Sequence, residues 1–152
     1  MRNRHATALV VGDRGLLIEG PSGSGKTMLA LELIAAANAR GIFARLVSDD
    51  QVMLAVLNDR LIAHAPRPIA GLVEARGHGP APIPFLPATL IDLVIRLVPE
   101  NEAPRVAEDA MAAVEGVTLP LVSLPRRQAR HAVHAVAARL HLPPFRAEEA
   151  SH

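Results

Sequence analysis

Gly20-Pro21-Ser22-Gly23-Ser24-Gly25-Lys26-Thr27 is a glycine, four residues, then Gly-Lys-Thr, and its flanks decide how it is read. Ahead of it, Gly15-Leu16-Leu17-Ile18-Glu19 is a short apolar strand. From Lys26 to about Arg40, apolar residues at Met28, Leu29, Leu31, Leu33, Ile34 and Ala37 recur with helical spacing, and Gly41 stands where a helix stops. A strand, a glycine-rich loop and a helix in that order let backbone amides and a helix N-terminus cradle phosphate oxygens. Lys26 is placed to reach β- and γ-phosphates, and the Thr27 hydroxyl to hold magnesium. Of the 16 basic residues 15 are arginine, so Lys26 is the only lysine in the chain. A guanine-reading Asn-Lys-x-Asp motif would need a second one, which counts against a translation or signalling GTPase.

Working outward, Ala6 to Val11 is another apolar run, joined to Gly15 to Glu19 through Gly12-Asp13-Arg14, so the loop is preceded by an antiparallel hairpin. Phe43 to Ser48 reads as a strand ending in Asp49-Asp50, where a phosphate-loop fold puts its second acidic group. A carboxylate there can bind magnesium through water or accept a hydroxyl proton; a solvated turn would leave the same residues. Val52 to Leu57 and Arg60 to Ala63 form a second hairpin about Asn58-Asp59. From Pro66 to Pro87, prolines and glycines leave little regular structure except around Leu72 to Arg76. There Glu74 and Arg76 fall on one face of an extended backbone, with Gly77 and Gly79 allowing close approach to a ligand. Thr89 to Val98 reads as a β-branched strand with Asp92 and Arg96 interrupting it, Ala112 to Val122 as two strands about Gly116, and Arg127 to Leu140 as a helix. Arg126, Arg127 and Arg130 at its start can bind anions or form a solvated face. The sum is α/β with many antiparallel strands, in one domain over residues 1–142, with 143–152 as a flexible tail.

Composition narrows the function. With 152 residues, half of them apolar and 20% charged, the chain can bury a core, and disorder throughout is excluded. A net charge of +1 and three phenylalanines as the only aromatics give no surface for nucleic acid. The absence of cysteine removes disulfides, thiolate metal sites and cysteine nucleophiles, and accords with a cytoplasmic location. No apolar run reaches the length of a membrane span or of a secretory signal. Histidines 64, 78, 131, 134, 141 and 152 have no metal-ligand spacing.

Taken together, the order of these motifs resembles the catalytic domain of the bacterial HPr kinase/phosphorylase family over roughly residues 4 to 142. His5 lies where that family has a histidine on the strand before the loop. Gly20 to Thr27 matches its Gly-x-Ser-Gly-x-Gly-Lys-Ser/Thr, and Leu46-Val47-Ser48-Asp49-Asp50 its Leu-Val-Ala-Asp-Asp. Val73-Glu74-Ala75-Arg76-Gly77-His78-Gly79 matches its Leu-Glu-Ile-Arg-Gly-x-Gly. The resemblance implies a phosphate-loop α/β fold of the phosphoenolpyruvate carboxykinase type, a mixed sheet with antiparallel hairpins. It also implies an ATP- and Mg2+-dependent protein-serine kinase acting on HPr or the nitrogen-branch HPr-like carrier, and a homo-oligomer, by family a hexamer.

By the same resemblance Asp49 is the base that takes the serine proton, with Asp50 beside it. Glu74 and Thr27 hold magnesium, Arg76, followed by Gly77, orients the active loop or neutralises transferring charge, and His5 sits near the phosphates. Arg105 matches the arginine the family carries after its late strand. Pro125-Arg126-Arg127-Gln128-Ala129-Arg130 corresponds to the family's Pro-Val-Arg-Pro-Gly-Arg, tied to phosphate-dependent dephosphorylation, but keeps only the proline and two arginines, Arg127 and Arg130 among them. The kinase direction is therefore the expectation ahead of the reverse one. A small-metabolite kinase and a non-catalytic nucleotide-binding regulator are the alternatives.

Overall fold

A computed structural model of the chain describes residues 1–106 and 108–145. Its strands are β1 (Arg2–Arg4), β2 (Ala6–Val11), β3 (Arg14–Glu19), β4 (Ala44–Ser48), β5 (Val52–Leu57), β6 (Arg60–His64), β7 (Leu72–Ala75), β8 (Gly79–Pro82), β9 (Ala88–Leu90), β10 (Leu93–Val98), β11 (Ala110–Val114) and β12 (Val117–Pro125). The helices are α1 (Lys26–Ala39) and α2 (Ala129–Arg139). Among the described residues no helix is long and apolar enough to cross a membrane.

Six strands form the main sheet in the order β11-β12-β10-β3-β2-β4. β3, β10 and β12 run parallel, while the remaining pairs are antiparallel. Every residue of β2 is buried, because the sheet is covered on both faces. Leu9, Val11, Leu16 and Ile18 pack on the side of α1 and α2. Ala8, Val10 and Leu17 pack on the other side against Val52, Leu54, Leu61 and Ala63 of a smaller sheet, β1-β5-β6-β9. The run Ala-Leu-Val-Val thus serves two cores at once. Helix α1 ends as its glycine foretells: Gly41 has φ 73°, its N–H donates to Asn38 O at 3.1 Å, and Ile42 N–H donates to Ala37 O at 2.9 Å. The β5–β6 hairpin turns on Asn58 and Asp59, both left-handed at φ 52° and 60°.

Three local expectations change. Thr89 to Val98 is two strands, because Asp92 breaks it: its carboxylate accepts the Gly15 N–H at 2.8 Å, and its own N–H donates to Gly15 O at 2.8 Å. The chain crosses from the small sheet to the main one at that clasp. The stretch from Pro66 to Pro87 is more ordered than its prolines suggest, for β7 and β8 pair antiparallel. The Phe85 ring packs under Gly71, where a Cβ would come within 2.7 Å of it, and Leu86 N–H donates to Leu46 O at 2.8 Å. The last helix starts at Ala129, later than Arg127, because Arg127 is left-handed at φ 59° and turns the chain. Phe145 sits beside His134, ring centroids 6.2 Å apart; of the tail expected at 143–152, residues 146–152 lie outside the described residues.

Gly15 tolerates no side chain. A Cβ there would lie 1.7 Å from the backbone oxygen of Leu90, a carbonyl that cannot swing aside as a side chain would. Gly15→Ala should therefore destabilise the fold by about 3 kcal/mol, seen as a lower urea midpoint at unchanged m-value.

Candidate active site

The sheet order brings the site together. β3, β10 and β12 share a direction, and β4, two antiparallel steps from β3, shares it too, so their C-terminal ends lie on one edge. That edge carries the loop after β3, the turn after β12, the acidic pair after β4 and the start of β2. Ligands of open α/β sheets bind at such an edge.

Gly20 to Gly25 forms the loop, with Gly23 and Gly25 left-handed at φ 79° and 99°. The Ser24 hydroxyl is buried over Gly20, where a Cβ would come within 2.5 Å of it and 3.2 Å of Leu97 Cβ, so the loop packs closely on this glycine. No acidic residue stands in the first turn of α1, and the positive end of that helix is left for an anion. Lys26, 5% exposed, donates from Nζ to Gly20 O at 2.9 Å and to Pro21 O at 3.2 Å. Burial pushes its ammonium below the ordinary lysine value, against the opposing pull of Asp50 and Asp49. From the side, Arg127 N–H donates to Ser24 O at 2.9 Å and Arg127 Nε to Gly23 O at 3.0 Å, so the turn after β12 braces the loop.

Asp49 and Asp50 part company. Asp50 takes a left-handed φ of 65°, a conformation aspartate tolerates, and its exposed carboxylate meets His5 Nε2 at 3.0 Å. Asp49 is 7% exposed and turns inward. Its Oδ1 accepts the Thr27 hydroxyl at 2.7 Å and the Thr7 hydroxyl at 3.2 Å, and its Oδ2 accepts the Glu74 N–H at 3.4 Å. The phosphate loop, the opening of β2, the end of β4 and the start of the β7–β8 hairpin thus converge on one carboxylate.

A family model, the HPr Serine kinase C-terminal domain, matches residues 1–142. The chain belongs to that family. The HPr kinase/phosphorylase of Limosilactobacillus reuteri strain DSM 20016 is 31% identical over 144 residues, covering 86% of this chain. That of Geobacillus thermodenitrificans is 35% identical over 139 residues, covering 84%. The chain spans less than half the length of these relatives, 42% and 43%. The solved structure of the Hpr(Ser) kinase/phosphatase from Coxiella burnetii matches with a TM-score of 0.77 at 24% identity, over 93% of this chain and 89% of that one, and so has the same fold.

Within this HPr kinase C-terminal domain, His5, Lys26, Thr27, Asp49 and Asp50 meet at the sheet edge, with Arg127 against the loop. Glu74 joins them through its backbone N–H, while its side chain, Arg76 and Gly77 lie exposed on the hairpin. Arg130 is exposed in the first turn of α2. Arg105 is exposed in a cleft with Glu108, Ser123 and the Ala135–Arg139 side of α2, and no residue of the phosphate loop lines that cleft.

Two contributors escape a reading of sequence. Thr7 is the single polar residue in an apolar strand, which was its only signal. Glu19, 8% exposed and directly before Gly20, accepts Arg4 Nε at 2.6 Å and Arg96 Nη2 at 3.1 Å. This clasp fixes the base of the loop and the residue before His5; Arg96 on its own reads only as an interruption of its strand.

Proposed function

We propose that this chain is an ATP- and Mg2+-dependent protein-serine kinase acting on HPr or its nitrogen-branch relative. The observation that carries this reading is the 2.7 Å bond from the Thr27 hydroxyl to Asp49, which couples the phosphate loop to a buried carboxylate within the family's fold. The loop amides and Lys26 take the β- and γ-phosphates. Asp49 takes the proton of the carrier serine as the serine oxygen bonds to the γ-phosphorus. The bond from that phosphorus to the β–γ bridging oxygen breaks, ADP leaves with the electron pair, and the proton on Asp49 passes on to solvent. In the phosphate-dependent reaction an oxygen of inorganic phosphate bonds to the phosphoserine phosphorus, giving pyrophosphate, while the serine oxygen leaves with the electron pair and takes a proton from the protonated Asp49 carboxyl group.

The donor set suits magnesium. The Thr27 hydroxyl and the Asp49 carboxylate bonded to it at 2.7 Å are hard oxygen ligands. That fits an ion held by one or two protein oxygens together with substrate phosphates. Thr27 and Glu74 would hold it, and when bound it supplies neutralising charge at the β- and γ-phosphates. His5 steadies Asp50, and Arg127 keeps the loop in shape. A cytoplasmic homo-oligomer belongs to the same reading.

The acceptor class is the test. ATP turnover should rise on addition of purified HPr or its nitrogen-branch relative and stay low with small hydroxyl metabolites. Turnover driven by a metabolite with no carrier present would instead favour the small-metabolite kinase.

A further inference from the structure

The order of the main sheet gives the phosphate loop two unlike sides. Toward β2 and β4 the loop faces His5 and the acidic pair, and its Thr27 hydroxyl is bonded to Asp49. Toward β10 and β12 it faces a cleft of about 620 Å³ lined by Pro99, Glu100, Asn101, Arg126, Arg127 and Gln128. The cleft opens where two parallel strands end. Arg126 N–H donates to Val98 O at 2.9 Å; beyond that bond the chain after β10 enters a 3-10 turn at Glu100–Glu102, and the chain after β12 turns aside at the left-handed Arg127. Arg127 joins the cleft to the loop, since it lines the one and its Nε donates to Gly23 O of the other at 3.0 Å.

A nucleoside triphosphate has two unlike ends. Its γ-phosphate goes to the acidic side of the loop, where the phosphoryl group is transferred, so ribose and base leave on the opposite side. Neighbouring strands lie about 4.8 Å apart, which puts the end of β12 about 10 Å from that of β3, within reach of a base carried on a ribose. The volume is that of a small-molecule site. The chain has no tryptophan or tyrosine, and none of its phenylalanines lines the cleft, so the flat surface offered to a base is a guanidinium. That of Arg127 is spent on the loop, which leaves the half-buried Arg126. Arginine planes stack on bases. The Glu100 carboxylate and the Asn101 amide supply acceptors for an adenine amino group, whereas guanine would bring its O6 acceptor against the carboxylate.

We propose that this cleft is the adenine site, with the base lying on the Arg126 guanidinium and its amino edge toward Glu100 and Asn101. The proposal rests on the reading of the loop as an ATP site and adds where the base lies and what selects it.

Calorimetry on the full chain with Mg2+, using ATP, GTP and inorganic tripolyphosphate, separates base from phosphates. Arg126→Lys keeps the charge and the backbone bond to Val98 but loses the flat fork; Asn101→Ala removes the amide. Wild type should bind ATP about tenfold or more tighter than tripolyphosphate, and tighter than GTP. Each variant should weaken ATP about three- to thirtyfold and leave tripolyphosphate within about twofold of wild type. If wild type binds tripolyphosphate or GTP as tightly as ATP, or if the variants lose ATP and tripolyphosphate alike or neither, the adenine site is overturned and the phosphate loop stands. If wild type binds neither ATP nor tripolyphosphate, the reading of the loop falls and the adenine site with it.

Discussion

Lys26→Met should weaken ATP binding by about 100-fold or more while leaving the protein at least as stable as the wild type to within about 1 kcal/mol. The lysine is buried, and its ammonium is held by the Gly20 and Pro21 carbonyls. Its pKa nevertheless lies below 10.5, chiefly through desolvation, so the folded protein holds this charge less well than the unfolded chain does. The unfolded state then binds the extra proton more readily, and stability rises with pH from the lowered value up to 10.5. Below that window the charge costs stability in full; above it the cost is gone. Methionine matches the length of the lysine stem and carries no charge, so the variant sheds this cost, offset by two carbonyls left without a donor. Thermal melts from neutral pH to pH 10 should show wild type gaining on Lys26→Met as pH rises. A variant that melts far below wild type at neutral pH would make the lysine a structural strut, and the loop would owe its shape to it.

Asp49→Asn should lower phosphoryl transfer by about 10²- to 10⁴-fold, the range a positioned base contributes, with the dissociation constant for ATP within a few-fold of wild type. The substitution preserves shape. The Thr27 and Thr7 hydroxyls can still donate to the remaining carbonyl oxygen, so the end of β4 and the start of α1 stay joined. What disappears is the carboxylate proposed to accept the serine proton. The long contact from Glu74 N–H becomes a meeting of two donors, at 3.4 Å a minor penalty. Single-turnover transfer measured beside equilibrium nucleotide binding separates the two effects. Parallel loss of both would mean that Asp49 serves chiefly to shape the loop through Thr27.

These expectations join residues that are far apart in the chain, and distance in sequence marks where its reading stopped. The phosphate loop, the helix behind it and the two hairpins were legible because their signals are local: glycines at turns, 3.6-residue spacing, a Gly41 stop. The acidic pair was legible as a position, yet nothing in Asp-Asp says that a left-handed φ at the second residue turns the first inward and the second out. Thr7 meets Asp49 across 42 residues, Arg96 meets Glu19 across 77, and Arg127 meets Gly23 across 104. Each of these follows from the strand order, and local periodicity carries no strand order. The same gap hid the Asp92 break: an aspartate in a β-branched run reads as a blemish until Gly15 of a distant strand is placed beside it. Sequence spacing puts Arg127 on a helix because the residues after it are helical; its left-handed φ of 59° goes with two bonds to a loop about a hundred residues away.

The most direct measurement is transfer of labelled γ-phosphate from ATP with Mg2+ to purified HPr and to its nitrogen-branch relative, with Asp49→Asn alongside. The expected result is label on a carrier serine with the wild-type chain and none above background with the variant. Tight ATP binding with no label on either carrier would contradict the kinase assignment and leave a small-metabolite kinase or a nucleotide-binding regulator in its place.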